Sequence, residues 1–317
     1  MTTVTTTIGV GSIAAREVVD ALTRRRGDVK GAVFKHGALA CLFISLAILV
    51  LLLVTQVIEG WPVLQGRLWD FLTGTTNSNP DKAGISQAIK GSLWIGVMVV
   101  VFAFPFGVGS AIYREEYAHH GRLERVIDTA IRNLAGVPSI VFGILGFAVF
   151  VKALGGLTGG KSLLAGGITV AILVLPIVII TSAEAIRAVP NGIREAAFGV
   201  GATRWEVIHH HVLPYAAPGI ITGTILSLAR ALGEAAPLLL VGAVLGRLGT
   251  DAPWWDPSQL REQFLALPTI ITDWAGEAKA GFRATTAAAI VVMLVVVLLA
   301  NTTAILLRNR YERRREG

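Results

Sequence analysis

The amino-acid sequence predicts an all-α, polytopic membrane protein with six transmembrane helices. Three observations lead there. Of 317 residues, 53% are hydrophobic and only 15% charged, where a soluble domain carries about a quarter charged, and the mean hydropathy is +0.65. Apolar runs long enough to cross about 30 Å of hydrocarbon as helix recur along the chain. The basic residues gather at the ends of those runs, so the net charge of +7 reads as membrane topology and not as an affinity for nucleic acid. The single cysteine, Cys41, lies inside an apolar run, which excludes an intrachain disulfide and a cysteine metal site.

Residues 1–35 form a polar, then basic tail ending in Arg24-Arg25-Arg26, Lys30 and Lys35. Residues 36–87 hold the first span and an external loop. His36 to Ile58 is too long for a signal-peptide core, and no small-residue cleavage pattern follows it, so it reads as an uncleaved first span. Trp61 and Trp69 follow at interfacial positions, in a polar loop over 60–87. The remaining spans fall within 88–307: Ala88–Ile112 with Pro105 inside, Leu134–Leu154, Gly167–Ala185, Val212–Leu245 and Thr285–Leu307. Residues 308–317 are a basic C-terminal tail.

Six spans put both termini on one side. That side carries six Lys and Arg in the N-terminal tail, four in 113–132, three in 187–211 and five in the C-terminal tail. The other side carries two in 59–87, one in 155–166 and four in 247–284. The positive-inside rule places both termini and the 187–211 loop in the cytoplasm. Gly219-Ile-Ile-Thr-Gly223 and the pair Gly143 and Gly146 are small-residue patterns that let helices approach closely in lipid.

Gly155-Gly-Leu-Thr-Gly-Gly160-Lys161-Ser162 fits the phosphate-loop pattern, but that loop works between a strand and a helix. Here the pattern lies between two membrane spans and on the external side, so it reads as a glycine turn. ATP-dependent work then requires another chain.

The cytoplasmic loop between spans four and five carries most of the information. Pro190 and Asn191 open a helix. Ile193, Ala196, Ala197 and Val200 fall at i, i+3, i+4 and i+7, an apolar stripe, with Arg194, Glu195 and Phe198 off it. Gly201 is a stop. Thr203-x-x-Glu206 is a capping box that restarts a helix carrying Trp205 and Ile208 into Leu213-Pro214. Periodicity fits two readings equally, a hairpin lying on the membrane surface and a rigid helix pair that takes a push from a docked partner. His209-His210-His211 point about 100° apart on a helix and cannot easily share one ion, so they read as polar residues at headgroup level.

The fifth span is broken by Pro214, Pro218 and Pro237 and holds Arg230 and Glu234 at i, i+4, on one face. A charge near the bilayer centre costs about 2.5–3.5 kcal/mol, and such residues face a bundle interior or a water path. An arginine fork matches phosphate or carboxylate oxygens. Glu234 would hold Arg230 between solutes or accept a hydrogen bond from a protonated oxyanion. An interhelical salt bridge that fixes packing predicts the same two residues. Glu184 and Arg187, at i, i+3 near the cytoplasmic end of span four, fit equally a lining of the exit and an interfacial pair. Residues 247–284, with Trp254, Trp255, Trp274 and acids from Asp251 to Glu277, are too apolar for a solvated loop and are expected to pack on or into the membrane face.

Glu195-Ala196-Ala197-x-x-x-Gly201, continuing to Leu213-Pro214, resembles the EAA loop of ABC importer permeases. His211 stands where that family has an aliphatic residue. Arg230-Ala-Leu-Gly-Glu-Ala-Ala-Pro-Leu-Leu-Leu240 is similar to the A-type permease subunits of phosphate importers, as are Asn133 to Gly143, Leu175-Pro176 to Pro190, Leu213 to Gly219 and Asn301 to Arg310. Ala235 replaces a common threonine. The resemblance covers about 88–305. It implies a type I ABC importer permease fold with cytoplasmic coupling helices between spans four and five. It implies Glu195, Ala196, Ala197, Gly201, Trp205 and Pro214 in a loop that docks on a cytoplasmic ATPase subunit. It also implies a homologous second permease chain, two ATPase copies carrying ATP and Mg, and an external solute-binding protein. The chain itself is expected to hold no cofactor, metal or catalytic residue, and to sit in a bacterial cytoplasmic membrane. A permease for another oxyanion, a secondary transporter and a non-transporting scaffold or sensor are the alternatives.

Overall fold

The structure is a computed structural model that describes residues 29–118, 121–243 and 256–316. Every regular element among the described residues is helical. The chain divides into two compact units, Met1–Thr55 and Gln56–Gly317.

The described part of the first unit belongs to α1 (Val29–Thr73). Its apolar residues, Leu42, Phe43, Ile48 and Leu51 among them, are exposed, as suits a helix immersed in hydrocarbon. Cys41 is exposed as well.

The rest of α1 lies in the second unit. The expected external loop over 60–87 is therefore helical as far as Thr73, a difference with a packing cause. Phe71 and Val63 join an apolar cluster with Ile85, Leu267, Ile270, Trp274 and Phe282, and burial of that face outweighs Pro62 and the glycines. The helix kinks at Arg67 (φ −149°, ψ 37°), whose guanidinium donates to the Ala83 carbonyl at 2.9 Å and to the Pro80 carbonyl.

Helix α2 (Ser86–Ile112) buries Ala88, Ser92, Ile95, Val99, Ala103, Gly107 and Ala111 on one face, a three-to-four residue spacing of mostly small side chains that admits a neighbour closely. A five-residue π-helical turn, Tyr113–Tyr117, extends it. The third span differs from expectation. Helix α3 (Arg122–Ala135) ends at Gly136, and α4 (Ser139–Gly146) starts after Pro138 and continues as a π-helical stretch, Phe147–Ala153. The two directions differ by 101°. Proline biases the residue before it away from helix, so a new helix starts at Ser139, inside the expected span that runs from Leu134. The segment ahead of it is an amphipathic helix and not a loop.

The glycine run holds the single turn α5 (Gly155–Thr158), and Gly159 and Gly160 then take positive φ of 87° and 75°. Ser162 caps α6 (Leu163–Arg187) by accepting from the Ala165 amide. The phosphate-loop pattern is thus a helix–helix turn. Helix α6 is the central element, packed on α2, α4 and α9 (Leu213–Gly233). A Cβ on Gly107 of α2 would lie 2.6 Å from a Val178 methyl, and one on Gly146 of α4 would lie 2.2 Å from the Thr169 hydroxyl. A Cβ on Gly223 of α9 would lie 2.2 Å from the Thr181 hydroxyl.

Between Gly199 and α9 come the elements described below. After α9 follow α10 (Ala236–Val241), a 3₁₀ turn (Pro257–Arg261), α11 (Leu267–Ala275) and α12 (Gly281–Glu316). The segment Glu262–Ala266 packs inward, against the helices. Phe264, Leu265 and Ala266 are buried, the Leu163 amide donates to the Glu262 carbonyl at 2.9 Å, and the Leu267 amide donates to the Ser92 hydroxyl at 2.8 Å. Trp274 is buried against Phe282. Asp251, Trp254, Trp255 and the end of the expected fifth span at Leu245 lie outside the described residues, as does the tail up to Asp28. Among the described residues five helices are long and apolar enough to cross a membrane, six when the bent α3–α4 pair is counted as one span. The chain is a multi-pass membrane protein.

Candidate functional site: a cytoplasmic helix pair joined to a broken span

The coupling segment begins with α7 (Asn191–Gly199), whose N-cap is Pro190 and has no side-chain cap; Asn191 is the first helical residue instead of the cap. Only part of the expected apolar stripe turns inward. Ala197 is buried and Ile193 packs beside it, in a cluster with Ala111, Ile186, Val189, Val207, Val212 and Ala216. Ala196 is exposed, and Val200 is 87% exposed because it is the C-cap residue. Arg194, placed off the stripe by periodicity, reaches inward. It donates to the Ile186 and Val189 carbonyls at 2.9 and 2.7 Å and to Glu116 at 2.9 Å.

Gly201 has φ of 86°, a conformation that side chains rarely adopt, so the turn here is glycine's. Thr203 and Glu206 form the expected capping box. The Thr203 amide donates to the Glu206 carboxylate at 2.7 Å, and the Glu206 amide donates to the Thr203 hydroxyl at 3.4 Å. This starts α8 (Arg204–Val207), which runs through a π-helical turn, Ile208–Val212, straight into α9 with Pro214 in its first turn. Val207, Ile208 and Val212 are buried. Outside lie Glu195, Ala196, Phe198 and Val200 from α7 and Trp205 from α8, a partly apolar face with one carboxylate. His209 stacks on Trp205 at 5.7 Å and meets His210 edge-on at 4.8 Å.

At the far end of the same rod the helix stops at Gly233. Glu234 is extended (φ −80°, ψ 115°) and α10 begins at Ala236. Arg230 and Glu234 therefore do not share a helix face in the expected sense, because Glu234 lies just past the helix end. They nevertheless pair, Nε to Oε1 at 3.3 Å, with Arg230 48% and Glu234 17% exposed. The break has a physical reason: Gly233 is a poor helix former, and Pro237 has no amide hydrogen to donate to a continuing helix.

Glu184 and Arg187 do not pair. Arg187 instead donates twice to Glu115, at 2.7 and 3.2 Å, while Glu184 is exposed. The spacing argument missed Glu115 and Glu116, the two acids of the Tyr113–Tyr117 turn, and also Asp128, which pairs with Arg114 and at 2.9 Å with Arg132. The only signal was a charged Arg-Glu-Glu between two tyrosines at the end of a span; its partners lie 72 and 78 residues away.

Comparison with known proteins agrees with this architecture. The chain is 31% identical over 263 residues to phosphate transport system permease protein PstA 1 of Mycobacterium tuberculosis, covering 82% of this chain and 83% of that protein. It is 33% identical over 219 residues to the probable ABC transporter permease protein YqgI of Bacillus subtilis, covering 68% and 71%. Among solved structures it resembles a chain of the bacterial alginate ABC transporter in complex with an alginate-bound periplasmic protein. The TM-score is 0.61 at 18% identity, over 90% of this chain and 98% of that one. A chain of the MetNI methionine ABC transporter gives 0.56 at 17%, over 78% and 98%. These structures share the type I ABC importer permease fold with it. Residues 103–316, more than half of the chain, match the family model, and the chain therefore belongs to the binding-protein-dependent transport system inner membrane component family.

Proposed function

We propose that this chain is the permease subunit of an ATP-driven importer for inorganic phosphate, with Arg230 contacting the anion and residues 191–211 receiving the power stroke. The observation that carries the reading is one continuous rod. It starts at α8 with the exposed Trp205, which lies beside Glu195 and Phe198 of α7 across the Gly201 turn, passes through α9, and ends at the helix break that holds Arg230 and Glu234. A helix transmits displacement along its axis because its backbone bonds are internal. Half of the Arg230 side chain is open, so its fork is available to an oxyanion. The names of relatives such as PstA 1 favour phosphate.

On this reading Ala196, Ala197, Gly201 and Pro214 shape the docking loop, and Glu184 and Arg187 stand at the cytoplasmic end of the path. The chain binds no cofactor and hydrolyses nothing. ATP and Mg are held by two copies of an ATPase subunit, a homologous second permease completes the pore, and an external phosphate-binding protein delivers the solute. Both termini are cytoplasmic, in the cytoplasmic membrane of a bacterium. The test is uptake by the assembled complex. Glu195→Lys abolishes it, and normal uptake in that variant removes the coupling role. Arg230→Lys keeps the charge but loses the fork, so half-saturation for phosphate rises; unchanged uptake kinetics make Arg230 structural.

A further inference from the structure

The coupling segment is linked covalently to α6 on one side and to α9 on the other. It also holds α2, to which it has no sequence connection. The π-helical turn at the end of α2 closes with a bond from the Ala118 amide to the Tyr113 carbonyl at 2.8 Å. Its wider winding sends three successive charged side chains to three different partners. Arg114 pairs with Asp128 of α3, Glu115 with Arg187 at the end of α6, and Glu116 with Arg194 of α7. Glu116 and Arg194 are the most enclosed acid–base pair of the three, 9% and 17% exposed. Both Nε and Nη2 of Arg194 reach the same Glu116 oxygen, at 3.1 and 2.9 Å. Nη2 also donates to the Ile186 carbonyl in the last turn of α6, and Nη1 donates to the Val189 carbonyl just past its end, where a cation is also favoured by the helix dipole.

The geometry points to Glu116 and Arg194 as positioning residues for transport, forming the joint that makes α2 follow the coupling helix. This rests on the coupling role given to residues 191–211. The apolar cluster of Ala111, Ile186, Val189, Ala197 and Val207 resists compression more than separation, since a gap of about 0.5–1 Å already forfeits roughly a quarter to a half of its dispersion contact. A charge-assisted, largely enclosed pair resists both. When an ATPase pair opens and draws α7 outward, Glu116 carries the pull to α2, and α2 is in close contact with α6 at Gly107. π-helical turns are often found at functional sites, and a second one, Ile208–Val212, joins the other end of the coupling segment to α9.

The experiment uses the full complex in proteoliposomes and measures phosphate taken up per ATP hydrolysed, normalised to assembled complex. Glu116→Ala leaves Arg194 the Ile186 and Val189 carbonyls but cuts the link to α2. The expected result is hydrolysis within about twofold of the parent and uptake per ATP reduced at least about fivefold, the low end of ordinary coupling between sites. Glu116→Gln keeps the shape and weakens the joint, so its ratio falls by a smaller factor; it carries the test if the alanine variant does not assemble. Arg132→Ala, which removes an exposed charge from the neighbouring Asp128 pair, leaves the ratio unchanged. A merely structural Glu116 lowers the amount of assembled complex at an unchanged ratio, and that result overturns the proposal. Glu195→Lys separates the two claims. Normal uptake in Glu195→Lys refutes the coupling role itself. Lost uptake there with an unchanged ratio in the Glu116 variants refutes only the joint.

Discussion

Gly223 offers a quantitative test of how α6 and α9 meet. A Cβ there would lie 2.2 Å from the Thr181 hydroxyl oxygen and 2.5 Å from the Thr181 Cβ. Carbon atoms in contact sit about 3.5–4.0 Å apart, so Gly223→Ala forces the helices apart by about 1 Å or more. One turn earlier, a Cβ on Gly219 would lie 2.7 Å from the Ala185 Cβ, so the helix cannot escape by pivoting toward that end. Overpacking of this kind costs about 1–3 kcal/mol, equivalent to a fall in Tm of about 2–12 °C at roughly 2–4 °C per kcal/mol. The assay is thermal unfolding of the purified chain in detergent. Thr181→Ala removes the hydroxyl but leaves the offending Cβ, so it does not rescue Gly223→Ala. Thr181→Gly removes both and does, less about 1 kcal/mol for a glycine inside a helix. Gly109→Ala on α2, where no atom lies within 4 Å, is neutral or stabilising. A Gly223→Ala protein as stable as its parent, or rescued equally by Thr181→Ala and Thr181→Gly, refutes the close approach.

Thr203→Ala removes the capping hydroxyl from the Glu206 amide, a loss of about 1 kcal/mol. Hydrogen exchange at the start of α8 then speeds up about fivefold, while α6 is unaffected; uniform change in both contradicts a local cap. Asp273 on α11 has its carboxyl pKa raised, first by burial and then by the nearby Glu277 charge. The folded form holds its proton more tightly than the unfolded chain, so stability rises as pH falls from above the raised folded value toward the ordinary carboxylate range. Asp273→Asn flattens that part of the stability–pH curve, and an unchanged slope contradicts the assignment.

The parts of the fold that were legible are those set by local chemistry. The capping box at Thr203 and Glu206, the glycine stop at Gly201 and the small-residue contacts of Gly219 and Gly223 are short-range signals with one physical solution each. Apolar run length located α2 and α6 to within a few residues and the start of α12 to within four, but α12 continues nine residues past the expected end at Leu307, to Glu316, through the basic tail. The bend ahead of the third span was not legible, because the apolar run continues across Gly136-Val137-Pro138 and hydropathy does not register a change of direction. Thr73 closes a helix instead of Gly60 because Phe71 finds Ile85, Leu267 and Trp274, residues up to about two hundred positions away. The site divides in the same manner. Arg230 and Glu234 pair as their spacing suggests, although across a helix end. Arg187 prefers the bidentate, more enclosed Glu115 over Glu184 one turn behind it, a choice that only the packing of α2 on α6 determines. Arg194 falls off the apolar stripe by periodicity and yet turns inward for the same reason.

The central claim is that this chain passes phosphate in response to ATP hydrolysis by a partner. The most direct measurement is ATP hydrolysis and solute uptake by the reconstituted complex with its binding protein, phosphate compared with sulfate at equal concentration. Phosphate should stimulate hydrolysis and accumulate inside the vesicles, whereas sulfate, fully deprotonated and unable to donate a hydrogen bond to Glu234, should do neither. Equal stimulation and uptake with sulfate, or hydrolysis without phosphate uptake in the unmodified complex, would contradict the account.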